Sequence, residues 1–190
     1  MKKEEIYKNQ SLTRLKDLES FLQLIADLGE KMDLYAIGGT AMVIEKIKES
    51  TKDIDFMTTT SQKDMRRLLT LAGLKENDSS KTCNKWYLET TRIDLFYEGV
   101  ILNISLLEDW KEKSKFINKI GPINLLRMGW RDIILTKLDR NEPRDIKDCQ
   151  DIIISQKIDL KRLKEEYYNF AETSIAHYKE KFTALEGAFQ

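Results

Sequence analysis

The chain has 190 residues, 41% of them hydrophobic and 34% charged, and its 32 lysines and arginines balance 32 aspartates and glutamates. That profile excludes a disordered chain and a broad surface for wrapping nucleic acid, and this length buries roughly 70% of the extended-chain surface without disulfides. Cys83 and Cys149 form no CxxC and His177 is the single histidine, which excludes a zinc site of soft ligands. No apolar run approaches the ~20 residues of a membrane span, and the opening MKKEEIYKNQ lacks the apolar core of a signal peptide. The expectation is a soluble protein in a reducing cytoplasm, with no membrane partner.

Residues 11–31, SLTRLKDLESFLQLIADLGEK, carry Leu15, Leu18, Phe21, Leu22 and Ile25 at helical spacing, with Ser11 or Thr13 as N-cap. DLYAI at 33–37 is short and apolar and ends at two glycines, which predicts a strand; TAMVIEKIKE then returns to helical spacing. DIDFMT at 53–58 predicts a second strand, followed by a helix from Ser61 to Ala72 that Gly73 ends. KWYLET (85–90) and TRIDLFYEG (91–99) alternate and predict neighbouring strands. The stretch from Ile101 to Trp110 fits no single pattern, and KFINKIGPINLLRM suggests two short strands around Gly121-Pro122. Beyond Gly129 the strands stop. WRDIILTKLDR, RDIKDCQDIIIS, DLKRLKEEYYNFAET and SIAHYKEKFTALEG predict four helices, with Pro143 breaking the first from the second. The fold class expected is α+β: a small mixed-sheet core with flanking helices over 1–128, then a helical region over 129–190.

In a strand, residues i and i+2 share a face with Cα atoms about 6–7 Å apart. Asp53 and Asp55 therefore project together, while Ile54 and Phe56 turn toward a core. Two carboxylates this close repel. An open, hydrated face relieves the repulsion, and so does a divalent cation; Mg²⁺ prefers oxygen ligands and takes one or two carboxylates plus substrate phosphates. Upstream, Gly38-Gly39 lies between a strand and a helix, where close backbone approach and free N–H groups can hold phosphates, and Thr40 adds a hydroxyl. The same glycines also suit a plain tight turn. Asp94 takes the face opposite Ile93 and Leu95; it is either a solvent-facing strand residue or, if its strand neighbours DIDFMT, a third carboxylate.

Downstream, Lys137 falls on the apolar stripe of Trp130, Ile133, Ile134 and Leu138. It either snorkels to water or borders a cleft and meets phosphates. Arg144, Asp145 and Asp148 follow the Pro143 break and suit either a capping and ion-pair set or a site. Lys157, Lys161, Arg162 and Lys164 form either a modest RNA-binding patch or a solvated helix face.

These motifs resemble the nucleotidyltransferase superfamily typified by DNA polymerase beta, whose pattern is a Gly-Gly or Gly-Ser turn, Asp-x-Asp, and a third carboxylate on a later strand. Within it, IGGTAMVIEKIKESTKDIDF and DIILTKLDRNEPRDIKDCQDI are most similar to the AbiEii-like group, which includes toxins of toxin–antitoxin systems. The chain departs from the usual pattern in having Thr40 after the glycines, and Lys46, Lys48 and Lys52 where an arginine is common. The resemblance implies Mg²⁺ held by Asp53, Asp55 and Asp94. It implies an NTP bound by Gly38, Gly39, Thr40, Lys137, Arg144 and Asp148, and catalytic roles for Asp53, Asp55, Asp94 and Lys137. It further implies that residues 129–190 complete the cleft. The acceptor would be RNA (a tRNA 3′ end) or a protein hydroxyl, and a cognate antitoxin is a candidate partner. A catalytically lapsed nucleotide-binding or partner-binding module of the same fold is the alternative.

Overall fold

The computed structural model describes residues 12–190, so Ser11 lies outside the described residues. These residues divide into two compact units. One runs up to Ile101 and resumes over Ser114–Met128; the other combines Leu102–Lys113 with Gly129–Gln190. No helix among the described residues is long and apolar enough to cross a membrane.

The first unit opens with strand β1 (Thr13–Arg14) and helix α1 (Leu15–Ala26). Leu18, Phe21, Leu22 and Ile25 are buried along one stripe, as their spacing predicts. The helix is shorter than the pattern suggested. Its first turn is closed by the Arg14 N–H donating to the Asp17 carboxylate at 2.8 Å, and Thr13 belongs to the strand instead. Next come β2 (Met32–Ala36), α2 (Gly38–Ile44), β3 (Ser50–Thr51), β4 (Ile54–Thr58) and α3 (Gln62–Leu71). Ser61 caps α3 by accepting from the Asp64 N–H at 3.1 Å, and Gly73 follows the helix with φ +83°. Then follow β5 (Lys75–Ser79), β6 (Cys83–Leu88), β7 (Thr91–Phe96) and the two-residue strand β8 (Val100–Ile101); the chain next contributes β9 (Ile104–Ser105) and a 3₁₀ turn (Glu108–Trp110) to the second unit and returns to the first with β10 (Lys115–Ile120) and β11 (Ile123–Arg127).

A seven-stranded sheet has the order β10-β11-β2-β4-β7-β6-β5. It is mixed: β11 pairs β2 and β4 pairs β7 in parallel, and the other neighbours run antiparallel. Its central strands bury Leu34, Ile54, Phe56, Ile93 and Leu95 with no residual exposure. Each such side chain stabilises by roughly 1.5–3 kcal/mol. Phe21 of α1 stacks on Phe56 at 6.2 Å between ring centroids, so this helix covers the face of β4 opposite Asp55.

The second unit holds α4 (Trp130–Arg140), α5 (Pro143–Gln156), α6 (Leu160–Ala171) and α7 (Tyr178–Gly187). Asn141 ends α4 in the left-handed conformation (φ 52°), and Pro143 opens α5, where a missing N–H costs nothing. The core of this unit is Ile133, Ile134, Leu138, Ile152, Leu163, Tyr167, Phe182 and Leu185. Tyr167 packs against Phe182 at 5.1 Å, so its ring is a core element.

Candidate active site

Two close approaches explain why glycines follow β2. Gly38 has φ +53°, and a Cβ there would stand 3.1 Å from Asp55 Oδ2. A Cβ on Gly39 would stand 2.1 Å from Thr51 Oγ1 and 2.9 Å from Thr51 Cβ, which no side chain tolerates. The turn is thereby drawn against β4. The Ile37 N–H donates to the Asp55 carbonyl at 3.2 Å. Thr40, 1% exposed, accepts from the Asp55 N–H at 2.9 Å and donates to the Asp53 carbonyl at 3.3 Å. Its hydroxyl thereby clasps the Asp-x-Asp backbone.

The parallel register of β4 and β7 sets Asp55 directly beside Asp94. Asp53, Asp55 and Asp94 each offer a carboxylate oxygen, and these atoms lie within 4.8 Å of one another. Three oxygens converging at that spacing fit a hard divalent cation such as Mg²⁺, which prefers oxygen ligands. Arg92, two residues before Asp94 on the same face, counters the charge. Its Nε donates to Asp94 Oδ1 at 2.8 Å, its Nη2 to Asp94 Oδ2, and its Nη1 lies 3.9 Å from Asp53 Oδ2. The hydrogen bonds it donates to Asp94, outweighing burial and joined by the charges of Asp94, Asp53 and Asp55, push the guanidinium pKa up. On neighbouring β6, burial first and then the Asp94 charge push the Cys83 thiol up to about 12.

Residues 13–189 match the family described as a nucleotidyltransferase of unknown function (DUF6036). The chain belongs to this nucleotidyltransferase family. Solved structures share its fold. ANT(2")-Ia in complex with adenylyl-2"-tobramycin superposes with a TM-score of 0.56 at 11% identity, over 91% of this chain and 97% of that one. JHP933 from Helicobacter pylori gives 0.52 at 13% identity, over 90% and 88%. No curated protein matches the sequence. The family matched is not the AbiEii-like group, so kinship with that group rests on motif resemblance alone.

The remaining site residues suggested by sequence lie in the helical unit. Lys137 is 5% exposed and does not snorkel. Its Nζ donates to Asp148 Oδ2 at 2.6 Å and lies 3.6 Å from Asp145 Oδ1. Asp145, fully buried, also accepts from Arg140 Nε at 2.7 Å. Burial opposes ionisation of Asp145, but the Arg140 hydrogen bonds and the charges of Lys137 and Arg140 outweigh it and hold the carboxyl below its usual range. The structure thus separates two residues the sequence left equivalent: Asp148 meets Lys137, and Asp145 meets chiefly Arg140. Arg144 is not in this network; its Nε pairs with Glu142 at 2.7 Å on an exposed surface.

The sequence pattern alone did not point to Arg92; near the Asp-x-Asp it offered only Lys46, Lys48 and Lys52 as cations. The signal was present: in TRIDLF, Arg92 and Asp94 stand at i and i+2, the same spacing that paired Asp53 with Asp55.

Proposed function

We propose that the chain is a Mg²⁺-dependent enzyme that moves NMP from an NTP to a hydroxyl of RNA, such as a tRNA 3′ end, or of protein. The convergence of Asp53, Asp55 and Asp94 within 4.8 Å, beside the Gly38-Gly39 turn, carries this reading. Family membership supports it, as does the solved neighbour that holds an adenylylated product. A bound Mg²⁺ would neutralise triphosphate charge and lower the pKa of the acceptor hydroxyl. The chain's own part is to hold three carboxylates in register, with the Thr40 clasp and Arg92 fixing their orientation. The acceptor oxygen bonds to the α-phosphorus, the bond from that phosphorus to the bridging oxygen breaks, and pyrophosphate leaves. The acceptor proton passes to the carboxylate cluster.

The motif resemblance extends the reading to a toxin or phage-defence enzyme restrained by a cognate antitoxin. It also assigns Lys137, Arg144 and Asp148 to the nucleotide. Lys137 would then exchange the Asp148 carboxylate for a phosphate, and a Lys137→Ala variant that keeps wild-type NTP affinity removes it from the site. The decisive experiment incubates the full chain with each labelled NTP, Mg²⁺ and total RNA or protein. Label transfer with pyrophosphate release is expected, and Asp53→Asn should abolish both while leaving thermal unfolding intact. NTP binding with no turnover in any extract would instead establish the non-catalytic module.

A further inference from the structure

The helical unit holds a cavity of about 490 Å³ that the catalytic reading does not use. It lies where the start of α4 meets the turn between α5 and α6. Its volume falls within the roughly 300–1,000 Å³ common for small-ligand pockets. Trp130 supplies an indole wall, fixed by its Nε1–H donating to Gln156 Oε1 at 3.1 Å. Lys113, Arg131, Lys157 and Arg162 line the same space.

The carboxylates here are already committed. Asp109 takes Arg131 through two hydrogen bonds of 2.7 and 3.2 Å, with buried Asp132 at 3.1 Å from the same guanidinium. Glu166 pairs with Arg162 at 3.1 Å. Asp159 caps α6, accepting from the N–H groups of Lys161 and Arg162 at 2.9 and 3.1 Å. Among the described residues no ion pair holds the ammonium of Lys113 or Lys157, and both are exposed.

We propose that this pocket binds a single-stranded nucleic acid, with one nucleotide entering against Trp130 and its flanking phosphates meeting Lys113 and Lys157. A flat indole beside ammonium groups outside any close ion pair is the pairing that sequence-tolerant strand binders use: bases stack on the ring and phosphates meet the ammonium groups. An acidic peptide would match the charge and leave the indole without a stacking partner. The choice of RNA over DNA rests on the acceptor reading above; the pocket itself does not. It gives the acceptor strand a second point of attachment, on a unit other than the one carrying the carboxylates.

The test uses the full chain in EDTA without nucleotide, so transfer chemistry plays no part. The probe is a short single-stranded RNA of mixed sequence, with single-stranded DNA and polyglutamate as comparison arms. Trp86 and Trp110 are 1% and 7% exposed, so stacking should quench chiefly the Trp130 emission. The Lys113→Glu/Lys157→Glu variant alters only exposed side chains. It should weaken RNA binding at least tenfold and flatten the slope of log affinity against log salt by about 1.4, at about 0.7 for each phosphate no longer neutralised. Trp130→Ala should remove the quench and weaken binding about fivefold or more. Asp53→Asn should bind RNA as wild type does, so failure of transfer and failure of this site read out separately. DNA bound equally well keeps the site and removes its RNA preference. An unchanged affinity and salt slope in the lysine variant, or polyglutamate bound in place of RNA, overturns the proposal.

Discussion

Replacing Arg92 by methionine tests whether the carboxylate cluster depends on an internal counter-charge. The side chains of Arg92 and Asp94 are 23% and 7% exposed, and that of Asp53 is 23% exposed, so the group is largely withdrawn from water. Methionine keeps much of the aliphatic stem and deletes two charge-assisted hydrogen bonds to Asp94. Breaking a fully buried ion pair by removing one partner costs roughly 3–5 kcal/mol. Here Asp53 and Arg92 retain some access to water, which rehydrates the remaining charge, so a loss of about 2–3 kcal/mol is expected. Urea unfolding in EDTA measures it. Millimolar Mg²⁺ should restore a larger share of stability to the variant than it adds to wild type, because in wild type the cation competes with the guanidinium for the same oxygens. A double-mutant cycle with Asp94→Asn should return a coupling of about 2 kcal/mol. A variant within about 0.5 kcal/mol of wild type in EDTA, or one that Mg²⁺ does not recover, refutes the counter-charge account.

Gly39→Ala should destabilise by about 1–3 kcal/mol through the clash with Thr51, and adding Thr51→Gly should recover most of the loss in the same urea titration. Arg140→Gln should move the acid limb of stability to higher pH. Asp145 has a depressed folded pKa, so its contribution is present above the unfolded value of about 3.9 and lost as pH falls through the folded value; without Arg140 that fall begins sooner, as unfolding followed from about pH 5 to 2 will show. The thiols of Cys83 and Cys149 are both pushed up to about 12, burial being the main cause. Neither should alkylate near pH 8 in the native protein, whereas mass spectrometry should find both modified in urea.

Local patterns carried most of this fold. Alternation placed Ile54 and Phe56 inside and Asp53 and Asp55 on the other face, and the helical stripes of both units lie where periodicity put them. What failed depended on partners distant in sequence. The pattern TAMVIEKIKE reads as helix to Glu49, yet α2 ends at Ile44. Lys46 turns left-handed (φ 58°), the N–H groups of Ile47 and Lys48 fold back onto the Met42 carbonyl, and Ser50 and Thr51 pair with Arg14 and Thr13. KENDS carries no strand signal because every side chain of β5 is exposed; pairing with β6 makes it a strand. The same limit applied to the site. Asp53 and Asp55 were legible as a pair, whereas the place of Asp94 beside them depends on β4 and β7 being neighbours, which no local pattern encodes. Thr40 was legible as a hydroxyl near the turn, but its bonding to the next strand was not.

The chain leaves the sheet-bearing unit at Leu102, returns at Ser114 and departs again at Gly129. No single scission can therefore separate the two bodies. A piece beginning at Gly129 would lack Asp109 and leave Arg131 without one of its two carboxylate partners. A piece stopping at Ile101 would strip β11 from β2 and leave a bare strand margin open to aggregation. Attempts to assign activities to either body are better made by point substitution in the intact polypeptide than by truncation.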